Sequence, residues 1–491
     1  MEHADVLIVG AGLSGVGAAC HLRQRCPGKS FAILEGRGAM GGTWDLFRYP
    51  GIRSDSDMYT LGYRFRPWRD AKAIADGPSI LNYIRETAAE FGVDKTIRYG
   101  HRVRLASWSS EDALWTVEAE TGPEKSVARF TCNFLYLCTG YYDYEGGYTP
   151  EWPGVERFRG RVVHPQKWPE DLDYAGRRVA VIGSGATAVT LVPALAERAA
   201  HVTMLQRSPT YVVARPSEDR IANLFRRHLP ARAAYALTRW KNVLLGMFFY
   251  HLARRRPGLF KGMVAKGVRQ QLGEEYANRH FTPRYDPWDQ RLCLVPDADL
   301  FRAIRDGRAS VVTDHIESFT ETGLRLMSGG HLDADIVVTA TGLVLKLMSG
   351  LRLVVDGAPV DLSKTMAYKG MMYSDVPNLA SALGYTNASW TLKCDLTAEY
   401  VCRLLNHMER RGYARCTPRV KGPEVTDEPI IDFTSGYVQR ALHTLPRQGS
   451  KTPWRLHQNY VKDLSMLRYG RVEDGVMEFE AAPPRHEGRN V

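Results

Sequence analysis

Two stretches of this chain, one starting near its N-terminus and one near residue 178, share a single plan. In ADVLIVGAGLSGVGAACHL the run Val6 to Val9 enters Gly10-x-Gly12-x-x-Gly15, and a helical pattern comes next. In RRVAVIGSGATAVTLVPAL residues 178–182 enter Gly183-x-Gly185-x-x-Ala188, again ahead of a helical pattern. A strand that turns through glycines into a helix lets backbone N–H groups approach a pyrophosphate and aims the helix N-terminus at that anion. Alanine is tolerated at the third position. A chain that carries this unit twice is expected to be α/β, with two Rossmann-like dinucleotide-binding domains.

The strand after each loop separates the two sites by charge. After the first loop, SFAILEG ends at Glu35. After the second, HVTMLQRSP ends in Gln206-Arg207-Ser208. Glu35 and Arg207 sit at equivalent distances from their loops. A carboxylate there accepts from ribose hydroxyls and repels a 2′-phosphate. An arginine pairs with that phosphate through its planar fork of donors. The first site is therefore expected to take FAD or NAD, and the second NADP(H), with Ser208 beside Arg207. Two dinucleotide sites in one chain suggest electron transfer from NADPH to FAD. Two further runs, FLYLCTG (134–140) and DIVVTATG (335–342), each end in Thr-Gly as expected for strands leading to a crossing between sheets.

Composition narrows the class. The chain has 491 residues, 44% apolar and 24% charged, which excludes disordered and fibrous chains and allows two or three domains with cores. The net charge of +11 favours anionic partners. Eight scattered cysteines form no C-x-x-C pair, so zinc ribbons and dithiol redox pairs are unsupported and no metal site is expected. No secretory signal precedes the first strand, and a cytoplasmic protein with free thiols is expected. Residues 216–285 break the nucleotide-domain pattern: apolar helical spacing is mixed with dense Arg and Lys. This reads as a helical insertion in the NADP domain. It is either packed with a solvated basic face or in peripheral contact with a membrane through cations beside Trp240, Phe248, Phe249 and Tyr250. The longest apolar run, 242–253, is too short to span a bilayer. No recognition fold for nucleic acid accompanies the charge.

The connector FRGRVVHPQKWP, just ahead of the second loop, carries more than a linker needs. It reads Phe158-x-Gly160-x-x-x-His164-x-x-x-Trp168-Pro169, and its prolines argue for an extended segment at the domain junction. A second stretch, GGTWDLFRYPGIRSD, places Gly41, Gly42, Trp44, Tyr49, Pro50, Gly51 and Asp55 at fixed spacing. Together with the two glycine loops, these motifs resemble the signatures of the type I Baeyer–Villiger flavin monooxygenases, in the family's order and over nearly the whole chain. Three stretches, RYPGIRSDSDMYTLGYRFRPW, PWDQRLCLVP and GYTNASWTLK, resemble a mycobacterial subgroup of that family.

The resemblance implies an enzyme that uses FAD, NADPH and dioxygen to convert ketones to esters or lactones through a peroxyflavin. S-oxygenation of thioethers or thioamides is a second implied activity. The alternative is a flavin-containing N- or S-monooxygenase without Baeyer–Villiger activity. A flavin disulfide reductase is opposed by the missing cysteine pair, and a non-catalytic nucleotide-binding protein would be excluded by yellow colour with NADPH-dependent oxygen uptake. The resemblance also implies that Arg291, in PWDQRLCL, is the catalytic cation, with Asp55 as its carboxylate partner. Gly42, Thr43, Trp44 and Asp55 are implied at the FAD. Phe158, Gly160, His164 and Trp168 are implied in coupling cofactor binding to domain movement. Many relatives carry lysine before the arginine; here the residue is Gln290, which shifts the weight of NADP preference onto Arg207.

The expected organisation is an FAD domain of residues 1–145 and 345–491, an NADP domain of 146–344, and the insertion at about 216–285. Within 382–408 a helix is expected to begin after Ser, Thr and Asn residues and to aim its N-terminus at the flavin. Asn387 is assigned to the cofactor and Trp390 to flavin, substrate or core. The tail EAAPPRHEGRNV is expected to be disordered. Neither the physiological substrate nor the oligomeric state is written in the sequence.

Overall fold

The strand Glu2–Val9 lies between Phe31–Leu34 and Ser126–Leu137, parallel to both, in a nine-stranded sheet. The computed structural model describes residues 1–290, 292–422, 425–431 and 433–481. Val6 and Ile8 face one side with Phe134 and Tyr136, while Leu7 and Val9 face the other with Leu135 and Leu137, and all are buried. Both faces of the strand are covered, which is why VLIV shows no apolar–polar alternation. Helix α1, Leu13–Arg25, comes directly after the first glycine loop and packs Val16, Ala19 and Leu22 into the core on one face. The long strand Ser126–Leu137 also pairs antiparallel with Leu114–Thr121, which continues the sheet through His101–Ser109 to Arg352–Val355. Leu379–Ser381 joins Ser126–Leu137 in parallel.

The second sheet has five strands in the order Ala309–Thr313, His201–Gln206, Arg178–Ile182, Ile336–Thr339, Arg161–Val163. All its pairings are parallel. Val179 and Val181 enter one core with Val338, and Ala180 and Ile182 enter another with Val337. Helix α2, Ala186–Leu195, comes directly after the second glycine loop and buries Val189 and Val192 against this sheet.

The chain crosses between the sheets twice, and the two crossings lie against each other. The Asp143 N–H donates to the Val344 carbonyl (2.8 Å), the Lys346 N–H to Tyr141 (3.0 Å) and the Tyr148 N–H to Gly342 (3.0 Å). Thr341 Oγ1 adds a bond to the Tyr148 carbonyl at 2.6 Å.

The basic stretch forms four helices: α3 Arg220–His228, α4 Ala231–Arg255, α5 Pro257–Leu272 and α6 Glu274–His280. Asp219 caps α3 through the Ala222 N–H, and Pro257 opens α5, where a missing N–H costs nothing. The sequence pattern assigns the whole insertion to the NADP-binding half, but the structure divides it. Val268 of α5 and Ala277 of α6 are buried in the core of the second sheet. Tyr235 and Val243 of α4 are buried in the core of the first. The reason is polar. Arg239, 4% exposed, donates to the carbonyls of Tyr59 (2.7 Å) and Gly62 (2.8 Å) and pairs with Asp395 at 3.4 Å. A cation this deep is held only where its charge and donors are matched, and those partners belong to the first half.

Helix α7, Trp390–Arg411, packs Leu392, Leu396 and Leu404 into the same core as α1 and stops at Gly412 in the left-handed conformation (φ +71°). His21 on α1 meets Asp395 on α7 at 3.3 Å. The tail expected to be disordered lies, from residue 482 onward, outside the described residues.

Candidate active site

The first glycine loop is shaped by its neighbours. Gly10 has φ +104°, and a side chain there would start 2.5 Å from the Cys138 carbonyl oxygen. A Cβ on Gly15 would fall 1.8 Å from the Gly10 carbonyl, so the third glycine is set by close helix–strand contact. Gly12 differs: the nearest atom to a Cβ there is the Gly42 Cα at 3.5 Å. No protein atom forbids a side chain at Gly12, and the vacant space lies over the start of α1. Gly12 is the N-cap of α1 and Gly185 that of α2, and neither helix has a side-chain cap. Aspartates cap the helices at Met58, Gly77 and Arg220. The leading N–H groups of α1 and α2 are thus left for an anion.

Glu35 is buried beside this loop. Its Oε2 accepts from the Ala11 N–H at 2.7 Å and its Oε1 from the Arg37 N–H at 2.9 Å. Burial pushes its carboxyl above the usual range, while these two N–H groups and the Arg37 guanidinium oppose the rise. Each oxygen keeps a lone pair for a hydroxyl.

A cleft of about 480 Å³ runs from Glu35 past Gly10, Gly12, Gly42, Thr43 and Trp44 to Asp55, and ends on Ala186, Thr187 and Thr190 of α2. The stretch GGTWDLFRYPGIRSD makes this continuity. Its start faces the first loop. Phe47 and Tyr49 are then buried in the core of the second sheet. Gly51, at φ +77°, lies so close to α2 that a Cβ would be 2.7 Å from that of Ala194. Asp55, half-buried, returns to the cleft.

The second glycine loop repeats the first. Gly183 has φ +131°, and a Cβ would meet the Ala340 carbonyl oxygen at 2.4 Å; nothing lies within 4 Å of one on Gly185. Ala188 is fully buried under the loop. Ser184 Oγ donates to the Ser208 carbonyl at 3.1 Å, tying the loop to the turn that carries Arg207. Arg207 and Ser208 are exposed.

Arg291 lies outside the described residues. The segments on either side of it are fixed. Cys293 Sγ meets the Ser184 carbonyl of the second glycine loop at 3.8 Å. Asp289 pairs with Arg254 of α4 at 2.7 Å, and its carbonyl accepts from the Thr434 N–H at 3.0 Å. Lys261 of α5 pairs with Asp286 at 2.6 Å, and the rings of Tyr250 and Trp288 meet edge to face at 5.4 Å. Gln290 is half-buried in this loop.

The connector motif explains itself residue by residue. Phe158 is buried and meets Phe319 edge to face at 5.8 Å. Gly160 is required because a Cβ would come within 2.2 Å of the Asp335 carbonyl. Arg161–Val163 forms the edge strand of the second sheet. His164 then leaves the sheet against both crossings: its Nδ1 accepts from the Gln166 N–H at 3.2 Å, and its ring is packed on Gly147. Burial holds its imidazole below the ordinary value, and the Gly342 carbonyl opposes that effect. Gln166 donates to the Asp143 carbonyl at 2.6 Å. Trp168 lies edge to face with Tyr174 at 6.4 Å, against the second core and away from the cleft.

These features, two matched loops and a cleft that runs from the first to the helix beyond the second, fit the family comparison. A family model described as flavin-binding monooxygenase-like matches residues 72–349, and one for an NAD(P)-binding Rossmann-like domain matches 8–72. The FAD-containing monooxygenase EthA of Mycobacterium tuberculosis is 56% identical over 484 residues, covering 98% of this chain and 99% of that protein. The chain belongs to the flavin-binding monooxygenase-like family. EthA of Mycolicibacterium smegmatis is 53% identical over 480 residues, 97% of each chain. Among solved structures, an oxidised steroid monooxygenase bound to NADP shares the fold with a TM-score of 0.75 at 22% identity, over 98% of this chain and 100% of that one.

For a flavin-binding monooxygenase the residues that sequence reasoning missed matter as much as those it found. Tyr141 to Glu145, just beyond the Thr-Gly end of a strand, close one side of the cleft. Tyr141 stacks on Trp390 (4.7 Å, 18°), and the Trp390 Nε1 donates to Ser14 Oγ at 3.2 Å. Behind this pair is a narrow apolar space lined by Leu345, Leu383, Ile431, Phe433 and Tyr437. The signal was the aromatic run YYDY placed directly after a strand end. Asn387 is not in the cleft wall: its Nδ2 donates to the Gln458 carbonyl at 2.9 Å, while its neighbour Ala388 lines the cleft. All eight cysteines are buried free thiols. Among the described residues no cluster of His, Cys, Asp or Glu is arranged for a metal, and no helix is long and apolar enough to cross a membrane.

Proposed function

We propose that this chain is an NADPH- and dioxygen-dependent Baeyer–Villiger monooxygenase that converts ketones to esters or lactones and oxygenates soft sulfur in thioethers or thioamides. One oxygen atom enters the product and the other leaves as water. The observation that carries the reading is the single cleft that joins Glu35 of the first loop to α2 of the second. It puts two dinucleotide sites within reach of one reacting centre.

The residues fit an FAD and an NADP(H). The open space over Gly12 and the uncapped N-terminus of α1 suit a pyrophosphate, and Glu35 suits a ribose diol. Arg207 and Ser208 suit a 2′-phosphate, and the turn set by Gly183, Gly185 and Ala188 suits the pyrophosphate of the same cofactor. When bound, the flavin supplies the redox step that activates dioxygen. Thr43, Trp44 and Asp55, which line the cleft, would hold it there. Arg291 is assigned to stabilise the negative charge that develops on oxygen. A guanidinium stays protonated at any working pH and donates in a fixed plane. Asp55 is assigned to orient it. The apolar space behind Trp390 is assigned to the organic substrate, whose burial there excludes water. Phe158, Gly160, His164 and Trp168 are assigned to coupling, since His164 touches both crossings.

The domain reading is drawn at the crossings: an FAD-binding part of residues 1–145 and 345–491, and an NADP-binding part of 146–344. Peripheral attachment to a membrane surface through the basic insertion is part of the proposal. The test of the chemistry is Arg291→Ala, compared with the parent for NADPH consumed and ester formed from a ketone. The variant should still oxidise NADPH but release hydrogen peroxide, with product formation down about 10²–10³-fold. Coupled ester formation by the variant would overturn the assignment. Parent enzyme that oxygenates sulfides yet gives no ester from any ketone would favour an N- or S-monooxygenase instead.

A further inference from the structure

The insertion holds almost all of the chain's net charge. Residues 216–285 contain 14 Lys and Arg against 4 Asp and Glu, in a chain whose total is +11. The same helices hold nine of the eighteen large apolar side chains exposed among the described residues. Such coincidence of cationic and uncovered apolar surface is uncommon, because exposed apolar groups on a soluble face are usually scattered singly.

The exposed groups are ordered. On α4, Leu237, Leu244 and Phe248 are 50%, 53% and 60% exposed and share one helical face. The opposite face carries Tyr235 and Arg239, both buried. Helix α5 adds Leu259 and Met263, one turn apart, and α3 adds Ile221 and Leu224. Trp240, 41% exposed, lies at the margin of the crest with its ring edge to face with Tyr460 at 5.8 Å. Exposed arginines at 227, 232, 255 and 256 stand around it on α3 and α4 and at the turn into α5.

We propose that this crest of α3, α4 and α5 is a docking surface for an anionic lipid bilayer, with the helices lying in the plane of the interface. The inference rests on the peripheral attachment proposed above and names the surface that makes it. Apolar side chains on one face of an in-plane helix enter the headgroup boundary while flanking cations meet lipid phosphates. A second copy of the chain is a poor occupant, since a two-fold contact would set this strongly cationic surface against itself. Arg254 and Lys261 hold the loop of Asp286 and Asp289 from the other side of the same helices. Docking therefore leaves those two ion pairs in place.

The test is co-sedimentation of the FAD-loaded full-length protein with vesicles of phosphatidylcholine alone and of phosphatidylcholine mixed with phosphatidylglycerol. Binding to the mixed vesicles is expected, with little to the neutral ones, and high salt should weaken it. The double variant Leu244→Ser with Phe248→Ser should bind the mixed vesicles about tenfold more weakly. Arg255→Glu with Arg256→Glu should do the same while retaining yellow colour and the parent rate of NADPH oxidation. Equal binding to both vesicle types would overturn the charge complementarity and the proposal with it. Vesicle binding that neither double variant weakens would overturn the crest but leave peripheral attachment standing. Absence of binding to any vesicle would remove both. A protein whose self-association, rather than vesicle binding, is lost in Leu244→Ser with Phe248→Ser would show the crest to be an interface between copies.

Discussion

The two glycine loops are near copies in backbone and opposites in surroundings. In each, the first glycine adopts positive φ because the end of a neighbouring strand, Cys138 or Ala340, presses against it. In each, the helix beyond the loop has no side-chain cap. Past that point they diverge. Glu35 is 6% exposed and already holds two backbone N–H groups of its own loop, so the first site is an interior wall. Arg207 is exposed on a turn held by Ser184, so the second is an open shelf. One and the same turn is thus walled in at the first site and open to solvent at the second.

Gly12 is where this contrast breaks most completely. Gly12→Val is expected to keep the fold, because no protein atom lies closer than 3.5 Å to the new Cβ, and to fill the space that the proposal assigns to a pyrophosphate. The purified variant should be colourless, with flavin content near zero by absorbance, and its thermal unfolding should match that of the flavin-stripped parent. A variant that retains its full yellow colour would disprove FAD binding at the first loop.

A smaller effect is expected on the open shelf. Loss of one charge-assisted hydrogen bond costs about 1.5–3 kcal/mol, or roughly ten- to a hundredfold. Arg207→Ala should raise the KM for NADPH by that factor and leave the KM for NADH nearly unchanged, because only NADPH carries the phosphate. Equal losses for both nucleotides would mean that Arg207 reads something other than the phosphate. Gln290→Lys sharpens the same contrast from the other direction, and NADPH preference should rise by a few-fold.

The least effect lies beneath the shelf. His280 is buried behind Gln206, its Nδ1 2.8 Å from Thr313 Oγ1, and burial holds its imidazole down at about 4 from an ordinary 6.5. As pH falls from 6.5 toward 4 the unfolded chain binds a proton that the folded chain does not. The stability owed to His280 is therefore complete above 6.5 and is lost across that window. The melting temperature should fall over this range, and less steeply in His280→Gln. Identical slopes would place the pH sensitivity elsewhere.

Legibility in the sequence depends on the range over which each signal acts. Strand, glycine turn and helix are neighbours in sequence, so both loops and the contrast between Glu35 and Arg207 were legible. The connector was legible as a pattern, and its geometry supplies the cause in the contacts of Gly160 with Asp335 and of His164 with Gly147. The division of the insertion was not legible. Arg239 looks like any solvated arginine until Tyr59, Gly62 and Asp395 come round it, and those partners lie 156 or more residues away. Trp390 was named as a candidate and does line the cleft, but its stacking partner Tyr141 was missed, because stacking across the cleft leaves no periodicity in either segment. Asn387 was placed one residue from the cleft wall that Ala388 occupies, since a helix start can be read from sequence more readily than the direction of the side chains before it.

The paired crossings have a consequence for how such a chain can be taken apart. Residues 143 and 344, and again 148 and 342, are bonded to each other across the two strands, so the whole of the second sheet leaves and rejoins the first through one doorway. A guest that enters a host through adjacent ends can be lifted out or replaced without rerouting the host's backbone. Grafting the second sheet of a relative between these positions is thus a feasible route to chimaeras that keep the first sheet and exchange the second. The seams would include the contact of His164 and the bond of Gln166 with the crossings, the stretch Phe47 to Gly51, where the host reaches over to hold its guest, and α4, whose Arg239 reaches back to Tyr59, Gly62 and Asp395 of the host.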